Sequence, residues 1–120
     1  MDCIFCKIRD GIIKSEKIYE DDLFFIINDI HPKAKIHLLA IPKEHYISIC
    51  DADEKQIEQI GIIMGRVAQM KNQLGLVDGY RIQINQGKNG RQTAEHLLIH
   101  FLGGEKLPDW VKIVLTRNFL

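Results

Sequence analysis

Residues Asn85 to Gly104 read NQGKNGRQTAEHLLIHFLGG, and the placement of the two histidines in this stretch decides the fold. In a helix, His96 and His100 would share a face roughly 6 Å apart and could grip one ion together. In a strand they also share a face, but at a separation of roughly 13 Å, too far for one ion. The surrounding pattern selects the strand. Tyr80-Arg81-Ile82-Gln83-Ile84-Asn85 alternates apolar and polar, Asn89-Gly90 is a turn signal, and Gly103-Gly104 ends the second run. The expectation is a hairpin pair over 80–86 and 95–102, with Leu98 between the two histidines on the same face.

Working outward, 120 residues of which 46% are hydrophobic suffice for one domain, expected over residues 1–120. Sixteen basic and sixteen acidic residues give zero formal charge, which removes the usual electrostatic footprint of a nucleic-acid binder. No apolar run approaches 18 residues, and Met1-Asp2-Cys3 does not begin a basic-then-apolar leader. The expected setting is therefore cytoplasmic, without membrane or nucleic acid as partner. Three cysteines, two of them spaced C-x-x-C, fit a reducing compartment better than a disulfide framework.

Cys3 and Cys6 lie one helical turn apart, so both thiols can point at one tetrahedral ion. They read equally well as small buried hydrophobes near the start of a short helix over 3–10. Residues 17–20 and 23–28 flank Asp21-Asp22 and read as a hairpin of β-branched and aromatic residues. Asp29 then precedes His31-Pro32, where an aspartate commonly closes an Asx-turn. The apolar run 36–42 reads as a central strand, and His37 near its start fits a hydrogen-bonded core histidine. Asp51, with Glu54 three residues on, resembles a capping box opening a helix over 51–74. Its apolar stripe is Ile57, Ile60, Ile63, Val67, Met70 and Leu74, and Gly75 is its stop. Near the end, Trp110 reads as a core anchor or a pocket wall, core being the preferred choice, and 111–116 as a last strand or packed tail.

The stretch that opens this account resembles the histidine-triad (HIT) family in its Hint-like branch. That pattern is Asn, a Gly-rich turn, Gly-Gln-Ser/Thr, then His-x-His-x-His and often Gly-Gly. Asn85, Gly87, Gly90, Gln92, Thr93, His96, His100, Gly103 and Gly104 match it. Leu98 stands where the family has its middle, nucleophilic histidine, and Arg91 where it usually has glycine.

The resemblance implies an α+β fold, with a five-stranded, mainly antiparallel sheet, one long helix and a short N-terminal one, in a homodimer. It implies a purine nucleotide site in which Asp29 accepts the ribose hydroxyls and Ile30 packs on the base. His37 then sits behind the phosphate, and Asn85, Gln92, Thr93 and His100 surround it; Arg91, where the pattern departs, is expected with Lys88 to replace part of the backbone contact to the anion. It also implies a Cys2His2 zinc site of Cys3, Cys6, His45 and His96, a ligand set that suits structural zinc.

In the family the middle histidine attacks the α-phosphorus, and the covalent nucleotidyl intermediate is then released by water. Leucine has no lone pair, so the resemblance implies a nucleotide-binding protein deficient in hydrolysis. Two other readings stay open: a phosphoramidate hydrolase or transferase in which His100 or His37 substitutes as nucleophile, and a zinc-stabilised dimeric interaction module.

Overall fold

The structure, a computed structural model, describes residues 3–110. Its centre is set by two runs in which nearly every side chain is apolar. Phe24–Asn28 (β2) buries its first four residues, and Ile36–Pro42 (β3) buries all but its first. Continuous burial of this kind requires both faces of the sheet to be covered. The remaining strands are Tyr19–Glu20 (β1), Tyr80–Gln83 (β4) and Ile99–Gly103 (β5), giving the spatial order β1-β2-β3-β5-β4. Every pairing is antiparallel.

Register then divides the side chains between two layers. Ile26 pairs with Ala40 and Leu38 with Phe101, which puts them on one face with Phe24 and Ile99. The long helix Glu54–Gln69 (α2) covers that face through Ile60, Ile63 and Val67. On the other face, Phe25, Ile27, Leu39 and Ile41 pack under the short helix Ile4–Arg9 (α1), against Phe5 and Ile8. Each fully buried side chain of this size contributes roughly 1.5–3 kcal/mol. Leu98 belongs to this second cluster, together with Cys3 and Cys6.

The α+β architecture expected from the sequence is present, and three local expectations are corrected. α2 starts at Glu54, with Asp53 as its cap. The Asp53 carboxylate accepts from the Gln56 backbone N–H at 2.8 Å, and the Gln56 side-chain oxygen accepts from the Asp53 N–H at 2.9 Å. A cap of this kind contributes about 1 kcal/mol. Asp51 instead ends a single 3-10 turn, Ile49–Asp51, and the helix stops five residues early in a run of turns that leads to Gly75 at φ 78°. Ile57, assigned to the buried stripe, is 42% exposed.

The second correction concerns β5, which begins only at Ile99, so His96 and Leu98 precede the strand rather than lying in it. β4 likewise ends at Gln83. The third is Trp110, which is 84% exposed and anchors no core. The last strand or packed tail expected over 111–116 lies outside the described residues.

On the helix side, Arg66 contacts Asp21 at 2.7 Å and ties α2 to the β1–β2 turn. Asp21 shapes that turn by accepting the Leu23 and Phe24 backbone N–H groups at 2.8 and 3.1 Å.

Candidate functional site

Three groups of side chains meet on the α1 side of the sheet. The first is Cys3, Cys6, His45 and His96, whose ligand atoms all lie within 4.8 Å of one another. Cys3 caps α1, and its sulfur accepts the Cys6 N–H at 3.4 Å, so one helical turn brings both sulfurs to the sheet. His45 follows the end of β3. His96 is fixed by two backbone contacts: its Nε2 donates to the Pro42 carbonyl at 2.8 Å, and the Leu97 N–H donates to the Tyr46 carbonyl at 2.8 Å. With its proton on Nε2, His96 turns the Nδ1 lone pair toward the cluster.

Four of the six spacings within the cluster approach the edges of a tetrahedral ligand shell. Cys3 Sγ and His96 Nδ1 are 3.4 Å apart, Cys6 Sγ and His45 Nδ1 3.3 Å, Cys6 Sγ and His96 Nδ1 3.7 Å, and the two Nδ1 atoms 3.1 Å. Zinc bonds to sulfur and imidazole give tetrahedral edges of about 3.3–3.8 Å, close to these values. Burial pushes the Cys6 thiol up to about 11, with the neighbouring Cys3 adding to it. Burial likewise holds His96 down at about 4, against the Pro42 hydrogen bond, so its imidazole is neutral at neutral pH as a ligand must be. A dication among these atoms would reverse the thiol's preference and favour thiolate.

The second group is Asp29, His37 and His100, all buried. Register places His37 and His100 on the same face, since His100 pairs with Leu39. The Lys33 backbone N–H donates to His37 Nδ1 at 3.0 Å. The His37 proton is therefore on Nε2, which lies 3.0 Å from His100 Nδ1 and 3.3 Å from Asp29 Oδ2.

His100 must accept at Nδ1, so it carries its own proton on Nε2 and offers a donor there. Burial holds both imidazoles neutral: it lowers His37, and it takes His100, with help from His37, down to about 3. A protonated Nε2 also disqualifies His37 as a metal ligand at that atom. These three residues are a hydrogen-bonded chain rather than a second metal site.

Asp29 forms the Asx-turn as well, since its Oδ1 accepts the His31 N–H at 2.8 Å. Each carboxylate oxygen retains a lone pair for a further donor. Ile30 beside it is 47% exposed, an apolar surface open to a ligand.

The third group is the loop from Asn85 to Ala94. Gln92 clamps it: its side-chain oxygen accepts the Gly87 N–H at 3.0 Å, and its amide donates to the carbonyls of Ile47 at 2.6 Å and Ala94 at 3.2 Å. Gln92 thus shapes the loop and spends its donors internally. Gly90 could carry no side chain, because a Cβ would meet the Gln86 carbonyl oxygen at 2.2 Å. Arg91 sits at φ 61°, a conformation that costs a side-chain-bearing residue about 1–2 kcal/mol and costs glycine nothing comparable.

Asn85 accepts from Gln83 Nε2 at 3.0 Å through its side-chain oxygen, which aims its amide hydrogens elsewhere. Between loop and sheet lies a cavity of about 10 Å³, room for about one water, whose walls include Asn85, Thr93, His96, Leu98 and His100. Leu98, 6% exposed, forms part of that wall between the two histidines.

All twelve site residues expected from the sequence therefore fall in or beside these three groups. The sequence did not disclose the backbone groups that orient the rings, namely the Pro42 carbonyl and the Lys33 N–H. It also did not disclose Gln86, whose side-chain oxygen accepts the Ile49 N–H and links the loop to the 3-10 turn. Backbone partners carry no side-chain signature, so nothing local could have found them.

Comparison with known proteins gives this geometry its family. The model described as "Scavenger mRNA decapping enzyme C-term binding" matches residues 2–113. Among curated proteins, Protein HitA of Neisseria gonorrhoeae is 41% identical over 101 residues, 84% of this chain and 94% of that one. The chain belongs to the HIT family.

Solved HIT structures align closely with this HIT protein. A histidine triad protein from Clostridium difficile superposes with a TM-score of 0.86 at 40% identity, over 92% of this chain and 96% of that one. A Zn-bound histidine triad family protein from Mycobacterium smegmatis gives 0.78 at 32% identity, over 99% and 86%. A histidine triad nucleotide-binding protein from Candida albicans gives 0.73 at 30%, over 83% and 73%. No helix among the described residues of this HIT protein is long and apolar enough to cross a membrane.

Proposed function

We propose that this HIT protein binds a purine nucleoside phosphate and hydrolyses its phosphoramidates poorly. The observation that carries this reading is the wall of the small cavity, where phosphate donors converge while the position between His96 and His100 is filled by Leu98. His100 Nε2–H, the Asn85 amide, the Thr93 hydroxyl and the loop N–H groups would hold the phosphate oxygens. Arg91 lies on the adjoining recess rather than on this cavity, a permanent cation with a fork of donors. The ribose hydroxyls would donate to Asp29, and the base would lie on Ile30. The nucleotide-binding relative from Candida albicans supports the ligand class.

The missing element is the nucleophile. A leucine side chain offers no electron pair to phosphorus, so no covalent intermediate forms at position 98. Neither remaining histidine replaces it. His37 uses both ring nitrogens in hydrogen bonds, and His100 presents a protonated nitrogen, a donor rather than an attacking lone pair. Titration calorimetry with AMP tests the reading: binding heat is expected, and its absence at millimolar nucleotide would overturn it.

Zinc fits the Cys3, Cys6, His45 and His96 set. When bound, it would fix α1 to the end of β3 and to the segment before β5. Four protein ligands close its coordination shell, so its role there is structural and the position leaves no room for an activated water. The zinc-bound relative from Mycobacterium smegmatis supports this assignment.

The same reading includes a homodimer, and the edge of the sheet supports it. β4 is terminal in the strand order, and Ile82 on it is 40% exposed, a surface suited to a second copy of the chain. Light scattering after size-exclusion chromatography is expected to give the mass of two chains, and the mass of one would contradict this.

A further inference from the structure

The loop that closes the small cavity also borders a larger, open recess. This recess, about 550 Å³, is lined by Lys88, Arg91, Glu95 and Ile47, and shares the wall Gln92, Thr93 and Ala94 with the cavity beside His100. We infer that Lys88 and Arg91 form a second anion subsite, which takes the phosphate following the one held at His100. The preferred ligand is then a nucleoside 5′-diphosphate or a longer phosphate chain rather than a monophosphate. This rests on the nucleotide reading given above.

Three observations support the subsite. Neither cationic side chain has a hydrogen-bond or ion-pair partner among the described residues, so both are available to a ligand. Glu95 shares the recess yet pairs with neither, leaving two cations against one carboxylate on the wall. Arg91 keeps a long side chain at φ 61°, where glycine would sit freely, and strained backbone of this kind points to a role for the side chain it carries. The planar guanidinium can meet two phosphate oxygens at once, while the lysine adds a mobile point charge. The shared wall makes the two subsites continuous, as a phosphate chain requires.

Calorimetric titration of AMP and ADP, without magnesium, against the full chain and against an Arg91→Gly, Lys88→Ala double variant tests this. Glycine suits the backbone at position 91, so the variant keeps the loop geometry, and an unchanged melting curve verifies its fold. ADP is expected to bind the natural chain about tenfold more tightly than AMP, the effect of roughly one well-formed charge-assisted contact. In the variant AMP is expected to keep its affinity to within about threefold while the ratio falls to about one; loss of AMP binding in the variant alone would place both cations on the first phosphate and overturn the second subsite. If AMP binds and ADP binds no more tightly, or if the ratio survives in the variant, the subsite is overturned while the nucleotide reading stands. If neither nucleotide binds, both fall together.

Discussion

Leu98→His is expected to raise hydrolysis of an adenosine phosphoramidate by at least about a thousandfold, since restoring a nucleophile typically recovers several orders of magnitude. The surroundings already suit the new ring. Position 98 forms part of the wall of the small cavity, and His100 beyond it would offer a donor to the proposed phosphate. The exchange has a stability cost, because Leu98 packs with Phe25, Leu39 and Ile41 at 6% exposure. Replacing it by a polar ring of similar size should lower stability by roughly 1–3 kcal/mol. Assay well below the melting temperature separates the two effects. A folded variant that binds AMP and stays inert would contradict the assignment of the deficit to position 98, and would move it to the loop around Arg91.

The second large effect concerns the metal. The purified protein is expected to carry one zinc per chain by elemental analysis, and its removal by a chelator should lower Tm by about 10 °C or more, because binding energy at a structural site is folding energy. The physical reason lies in the convergence of Cys3, Cys6, His45 and His96. The four ligand atoms crowd together behind mostly buried side chains, and a cation turns that crowding into attraction. Cys6→Ser and His45→Ala should each abolish stoichiometric zinc and reproduce much of the lost stability. Cys50→Ser should change neither, since Cys50 is exposed in the 3-10 turn and is not among the four clustered ligands. A metal-free protein with an unaltered melting curve would contradict the structural role.

How much of this was legible depended on whether the deciding forces were local. The runs Phe24–Asn28 and Ile36–Pro42 were clear because a strand covered on both faces must be apolar throughout. The start of α2 was ambiguous for a local reason. Asp51 with Glu54 and Asp53 with Gln56 are equivalent capping pairs in sequence, and the 3-10 turn at Ile49–Asp51 decides between them.

The late start of β5 was hidden for a different reason. The hydrogen bonds of Leu97 to Tyr46 and of His96 to Pro42 hold that segment apart from β4, and they reach across roughly fifty residues of chain. An alternating pattern does not show where such contacts interrupt it. Trp110 misled because a large aromatic residue is more often buried than not, and nothing beside it in sequence marks it as exposed. The metal ligands were legible only as residue types. Their convergence depends on β3, α1 and the segment before β5 meeting at one end of the sheet.

The Arg91 position was flagged by its departure from glycine, and the structure supplies the reason. The backbone there adopts the left-handed conformation that glycine tolerates best. Asp29 carried two readings, an Asx-turn and a ligand contact. The first is present, and it leaves lone pairs for the second.

The most direct measurement is rapid-quench intact-mass spectrometry of the natural chain mixed with excess adenosine phosphoramidate, with product release followed in the same samples. The account predicts unmodified protein at every time point and no burst of AMP. A nucleotidylated chain, or rapid turnover in rigorously purified material, would show that another residue attacks phosphorus and would contradict it.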